Sequence, residues 1–105
     1  MDDETFKNIV FNTKNGIALK LYVVPGSKTS YLEYRDGELI FHSSASCKHH
    51  GVNTDLLKWL SKNLGAEPYI VKGWSDRYKI VELRGVNYKE LLGKLSRLVL
   101  ENDLR

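Results

Sequence analysis

Sulfur is scarce in this chain of 105 residues, which holds one cysteine and one methionine. With Cys47 alone, no disulfide can close within the chain, and a reducing compartment is the natural setting. No apolar run approaches the length of a membrane span, and no apolar signal region opens the chain. A cytoplasmic location is therefore expected. Internal repeats and low-complexity segments are absent. So is the Gly-x-x-x-x-Gly-Lys-Ser/Thr spacing of a P-loop, and no paired acid–base set stands out for catalysis.

Neither charge sign dominates. Sixteen Lys and Arg face thirteen Asp and Glu, a formal net charge of +3. That mildly basic balance favours phosphates or acidic surfaces as partners, although ordinary domains share it. The acids Asp2, Asp3 and Glu4 sit at the start and Glu101 and Asp103 near the end, so the stretch from Lys48 to Lys89 is more basic than the whole. The length fits one domain over residues 1–105 with a core of its own, and residues 1–5 read as a disordered polar leader.

What is present is clear periodicity. Phe6 to Phe11 reads as a short strand or a tether, and Asn12 to Gly16 as a turn. From Ile17 to Val24, Ile17, Leu19, Leu21 and Val23 alternate with Ala18, Lys20 and Tyr22, the pattern of a half-buried strand. Pro25-Gly26-Ser27-Lys28 ends it. Ser30–Arg35 and Glu38–Ser44 form a hairpin around Asp36-Gly37, a strong two-residue turn signal. Ser43 to Gly51 is polar and irregular. A helix follows, with Asn53 or Thr54 as its cap, Asp55 in its first turn, Leu56, Leu57, Leu60 and Leu64 as its stripe and Gly65 as its stop. Tyr69–Lys72 and Tyr78–Arg84 read as a second hairpin. Tyr88, Leu91, Leu92, Leu95, Leu98 and Val99 mark a second amphipathic helix, the strongest periodic signal in the chain. Two amphipathic helices need one apolar surface, so the expected fold is an α+β two-layer sandwich. Both helices pack on one face of the sheet, and the other face is at least partly open.

The run Ile70 to Leu83 holds the best candidate for a binding surface. Arg77 and Lys79 lie two residues apart, hence on one face of a strand, close in sequence to Lys72, Trp74 and Ser75. Arginine offers phosphate a planar fork and lysine a point charge, while Trp74 and Tyr78 suit stacking on bases. The bland alternative is a solvated strand edge guarded by lysine, with Asp76 neutralising part of the charge. Pro25-Gly26-Ser27-Lys28 reads first as turn chemistry and second as an anion cradle contributing Lys28. Asn53 reads first as a cap and second as a ligand contact. His42, Cys47, His49 and His50 fit no standard metal spacing, and Cys47 with a neighbouring histidine lacks the orienting group a nucleophile needs. No metal, cofactor or catalytic residue is expected. Trp59 reads as a cover on the core.

Three stretches resemble one family. Val24-Pro25-Gly26-Ser27-Lys28 looks like its V-x-P-G-[AS]-K stretch. Asn53 with Leu56-Leu57-Lys58-Trp59-Leu60-Ser61-Lys62 resembles its G-K-A-N…L-I-x-F-L-A-K helix. Val71-x-Gly73-x-Ser75-x-Arg77-x-Lys79 resembles its V-x-G-x-[ST]-S-R-x-K hairpin. Together they resemble the YggU-like family, domain of unknown function 167, over about residues 14–84. The resemblance implies a β(2)-loop-α-β(2)-α order with a mixed sheet and no assigned activity. This chain departs from the family's proline-rich loop and Glu-Gly-Lys-Ala-Asn run with Ala45-Ser46-Cys47-Lys48-His49-His50-Gly51-Val52-Asn53, and Asp76 stands where a serine usually precedes the arginine.

Three functions remain open on the sequence. The first is a non-enzymatic, monomeric module binding RNA or another polyanion through Lys28, Lys72, Trp74, Arg77 and Lys79. The second is a phosphorylated-metabolite or enzymatic site between the 43–53 loop and the Gly73 turn, using Asn53, Ser75 and Arg77. The third is an accessory domain with a protein partner.

Overall fold

The computed structural model describes residues 6–46 and 49–103, the side chains of 49, 50 and 101–103 excepted. The acidic leader, Cys47 and Lys48 lie outside the described residues. The elements run β1 (Val10–Asn12), β2 (Ile17–Val24), β3 (Tyr31–Arg35), β4 (Glu38–His42), α1 (His49–Leu64), β5 (Glu67–Lys72), β6 (Tyr78–Arg84) and α2 (Tyr88–Asp103). The α+β class is the one expected. Four strands stand ahead of α1, where the order implied by the resemblance counts two.

β2 is the central strand. β6 pairs with it antiparallel along one edge, from Ile17↔Leu83 to Tyr22↔Tyr78. Two strands share its other edge: β1 runs antiparallel at Ile17 to Leu19, and β4 runs parallel at Tyr22 to Val24. With β3 outside β4 and β5 outside β6, the mixed sheet reads β3-β4-β2-β6-β5. The alternation of β2 decides its facing. Ile17, Leu19, Leu21 and Val23 are buried, and each contributes roughly 1.5–3 kcal/mol of apolar burial.

Both helices lie on that same face. Leu56, Leu60 and Leu64 of α1 and Leu91, Leu95 and Val99 of α2 are completely buried in one cluster with the core side of the sheet. Trp59 packs over Phe41 of β4 with ring centroids 5.5 Å apart, the covering role expected of it. Gly65, at φ 62°, ends α1, and Lys94 of α2 donates to the freed Leu64 carbonyl at 3.0 Å. Asn87 caps α2, its Oδ1 accepting from the Glu90 N–H at 2.7 Å. The opposite face of the sheet carries Lys20, Tyr69, Lys72 and Tyr78, all exposed. Among the described residues, no helix is long and apolar enough to cross a membrane.

The start of α1 is a correction. It begins at His49, so Val52 and Asn53 belong to the helix and Asp55 lies beyond its first turn. The 43–53 segment is therefore partly helical. Asn-Thr-Asp reads as cap chemistry in isolation, yet burying Val52 and Asn53 against the sheet outweighs that local preference. Asp55 instead accepts hydrogen bonds from the hydroxyls of Ser30 and Ser43, each at 2.6 Å. It thereby ties the strands' ends to the helix.

Candidate nucleic-acid interface

The β5–β6 hairpin is built around a bulge and a glycine. Its register shifts by one between Ile70 and Lys72, which leaves Val71 outside the ladder and bends the strand. Gly73 then turns at φ 80°. A Cβ there would lie 2.1 Å from the Tyr78 carbonyl oxygen, so only glycine fits. The Asp76 N–H closes the turn on the Gly73 carbonyl at 3.1 Å.

Lys79 does not stand on the open surface. It shares the core-side face of β6 with Val81 and Leu83 and is 4% exposed. Its ammonium donates to the carbonyls of Gly73 at 2.8 Å and Trp74 at 2.9 Å. Two of its three N–H groups are thus spent on the turn. Burial pushes its pKa below the ordinary lysine value, and the Asp76 charge works in the opposite direction. The apolar pair Val81 and Leu83 carried the signal: two-residue periodicity extends their face to Lys79.

Asn53 is a clip and not a cap. Its Nδ2 donates to the Trp74 carbonyl at 2.9 Å, the same oxygen that takes the Lys79 ammonium. Reversing the amide would set Oδ1 against a carbonyl, so the orientation follows from the hydrogen bonds. Asn53 is 2% exposed. Its Oδ1 has no hydrogen-bond partner among the described residues.

These side chains meet in one cleft of about 130 Å³. Val23 and Pro25 come from the end of β2, Val52 and Asn53 from α1, and Ser75, Asp76, Arg77 and Lys79 from the hairpin. Asn53, Ser75, Arg77 and Lys79 were all singled out in the sequence. Lys28, Lys72 and Trp74 do not line the cleft. They are exposed, Lys28 in the turn after β2, Lys72 at the end of β5 and Trp74 in the hairpin turn. The apolar walls, Val23 and Val52, were missed, although Val23 is the last core-side residue of β2 and Val52 adjoins Asn53.

The Pro-Gly turn is held structurally. Gly26 N–H donates to Ala45 O at 2.9 Å and Ser27 N–H to Ser43 O at 2.8 Å, prolonging the β2–β4 pairing. These two N–H groups are therefore committed to backbone partners. His42 lies on β4, stacked on Tyr31 and 2.8 Å from Glu33. The metal set considered with it is only partly described, since Cys47 and the side chains of His49 and His50 lie outside the described residues. Among the described residues, no group of three metal-binding side chains gathers.

Exposed aromatic and apolar surface concentrates on the same hairpin. Val71, Trp74 and Tyr78 are each at least half exposed, and Tyr69 lies under the Arg84 guanidinium at 4.3 Å. Tyr78 contacts Tyr22 edge-on at 4.7 Å and donates to Glu38 at 2.9 Å. A scan of the chain against models of known protein families finds no match. The resemblance to the YggU-like family rests on its three motifs alone.

Proposed function

We propose that the protein is a non-enzymatic binding module for single-stranded nucleic acid, RNA first, held by the β5–β6 hairpin. The observation that carries this reading is the joint exposure of Arg77 and Trp74 in one turn whose backbone is anchored from below by Lys79 and Asn53. A braced turn presents its charged and aromatic groups at little ordering cost, which is what a binding surface needs. Lys72 and Lys28 add exposed cations for phosphates, and the flat faces of Trp74 and Tyr78 suit unstacked bases. Lys79 is reassigned from phosphate contact to support of the turn.

The meeting of Asn53, Ser75 and Arg77 in one cleft favours the phosphorylated-metabolite reading as an alternative. Its volume counts against that reading, because pockets for whole small molecules run to about 300–1,000 Å³. The cleft suits one group of a larger ligand.

The test is fluorescence anisotropy of a labelled single-stranded RNA at several salt concentrations. Binding should weaken as salt rises, with a log–log slope of about −0.7 per phosphate contacted. Arg77→Glu should weaken binding about tenfold and flatten that slope, with folding unchanged. Equal affinity of wild type and Arg77→Glu at low salt would remove the hairpin from the interface.

A further inference from the structure

We infer that the cleft beneath the hairpin takes a nucleobase, a ring edge that offers an N–H donor beside an acceptor, and not a phosphate. This rests on the nucleic-acid reading above and specifies which part of the strand enters the cleft. The observation behind it is the unpartnered Oδ1 of Asn53, a residue 2% exposed that lines the cleft. A buried acceptor left without a donor costs roughly 1–3 kcal/mol, and a phosphate, which only accepts, cannot relieve it. Asp76 adds a carboxylate to the same cleft, a second acceptor that offsets part of the charge of Arg77 and Lys79. The ligand group must therefore donate.

It must also accept. Lys79 has a third N–H with no acceptor among the described residues, and Arg77 and Ser75 bring further donors. The remaining walls, Val23, Pro25 and Val52, are apolar and suit the faces of a ring better than charged oxygens. At about 130 Å³ the cleft has the space of roughly four waters, the scale of one ring. Donor and acceptor on adjacent positions of a flat, apolar-faced ring describe the pairing edge of a nucleobase. The phosphates then fall outside the cleft.

The experiment compares two strands of equal length and charge, a single-stranded RNA and its abasic ribose-phosphate counterpart, by anisotropy at one low salt concentration. Wild type should bind the RNA roughly ten- to hundredfold more tightly, the scale of one good base contact. Asn53→Leu should reduce the ratio of the two affinities about tenfold, whatever the lost anchor does to both, and stacking on Trp74 and Tyr78 supplies the preference that remains. Lys79 still donates to the Trp74 carbonyl in that variant, so the turn keeps one of its two anchors there. Should Asn53→Leu fail to fold, the side-chain amide signal of Asn53 in wild-type NMR spectra decides. It should move with RNA and stay still with the abasic strand, and a signal unmoved by RNA overturns the inference. Equal binding of both strands by wild type, or a preference undiminished in folded Asn53→Leu, also overturns it and leaves polyanion binding intact. Binding of neither strand at low salt overturns both readings.

Discussion

The β3–β4 hairpin closes on two residues, Asp36 at φ 53° and Gly37 at φ 80°, and its register runs unbroken from Arg35↔Glu38 to Tyr31↔His42. The β5–β6 hairpin closes over five residues, 73–77, behind a bulge. Its turn is tied to a helix by Asn53 and to its own strand by a buried ammonium. The first hairpin is local chemistry. Positive φ at both turn positions matches the strand twist, and Asp-Gly supplies it without help. The second depends on partners distant in sequence, and it carries Arg77, Trp74 and the cleft. A turn that could have been shorter is instead long, braced and exposed, which is the arrangement expected where loops carry function on a rigid support.

The largest test of that contrast uses the two glycines. Both have positive φ, but nothing lies within 4 Å of a Cβ at Gly37, whereas a Cβ at Gly73 strikes the Tyr78 carbonyl. Gly37→Ala should cost only the strain of a left-handed alanine, about 1 kcal/mol. Gly73→Ala adds overpacking against backbone, for a total of about 3 kcal/mol. Urea midpoints of the two variants measure the difference. Equal midpoints would mean that the second turn relaxes freely and is not braced.

A smaller effect separates the two cations of the β5–β6 hairpin. Lys79→Met removes the donor shared by the Gly73 and Trp74 carbonyls and should cost about 1–3 kcal/mol. Arg77→Ala, at an exposed position, should change stability by less than about 0.5 kcal/mol while reducing RNA affinity. Thermal melts read alongside anisotropy sort the pair. If Arg77→Ala destabilises as much as Lys79→Met, Arg77 is structural and the proposed surface loses its principal cation.

The contrast also marks what the sequence could disclose. Asp36-Gly37, the alternation of β2 and the leucine stripe of α2 are local patterns, and each is legible without a partner. The cleft is not local. It joins Val23, Val52 and Ser75 across fifty-two residues of chain, and single-strand periodicity does not reveal which strands become neighbours. Even so, Arg77 and Lys79 both line the cleft. What went wrong was which side faces the helices, and Val81 and Leu83 held that answer. Asn53 was misread for a different reason. Asparagine before Thr54 and Asp55 is good cap chemistry, and the polar run from Ser43 to Gly51 shows no helical period. Only burial against the sheet and hairpin makes His49–Leu64 one helix.

The smallest expected effect follows from charge and assigns each hairpin its own end of the pH range. On β3, Glu33 is held below the ordinary carboxylate value of 4.5 by its hydrogen bond with His42 and then by Arg35, against the opposing pull of burial. A carboxyl whose folded pKa is lowered stabilises the fold fully above its unfolded value and loses that contribution as the pH falls through the folded value. Glu33→Gln should therefore flatten the acid limb of the stability curve below about pH 4.5 and leave the alkaline limb alone. On β6 the slope has the same sign but lies at the other end of the pH range. Burial lowers the Lys79 pKa, so the unfolded chain binds more protons between that lowered value and 10.5, and stability rises with pH across the window. Lys79→Met should erase that alkaline rise and spare the acid limb. Urea unfolding of both variants across the pH range checks the pair. An acid limb that responds to Lys79→Met, or an alkaline limb that responds to Glu33→Gln, would mean that the two hairpins are electrostatically coupled through the sheet and do not act as independent units.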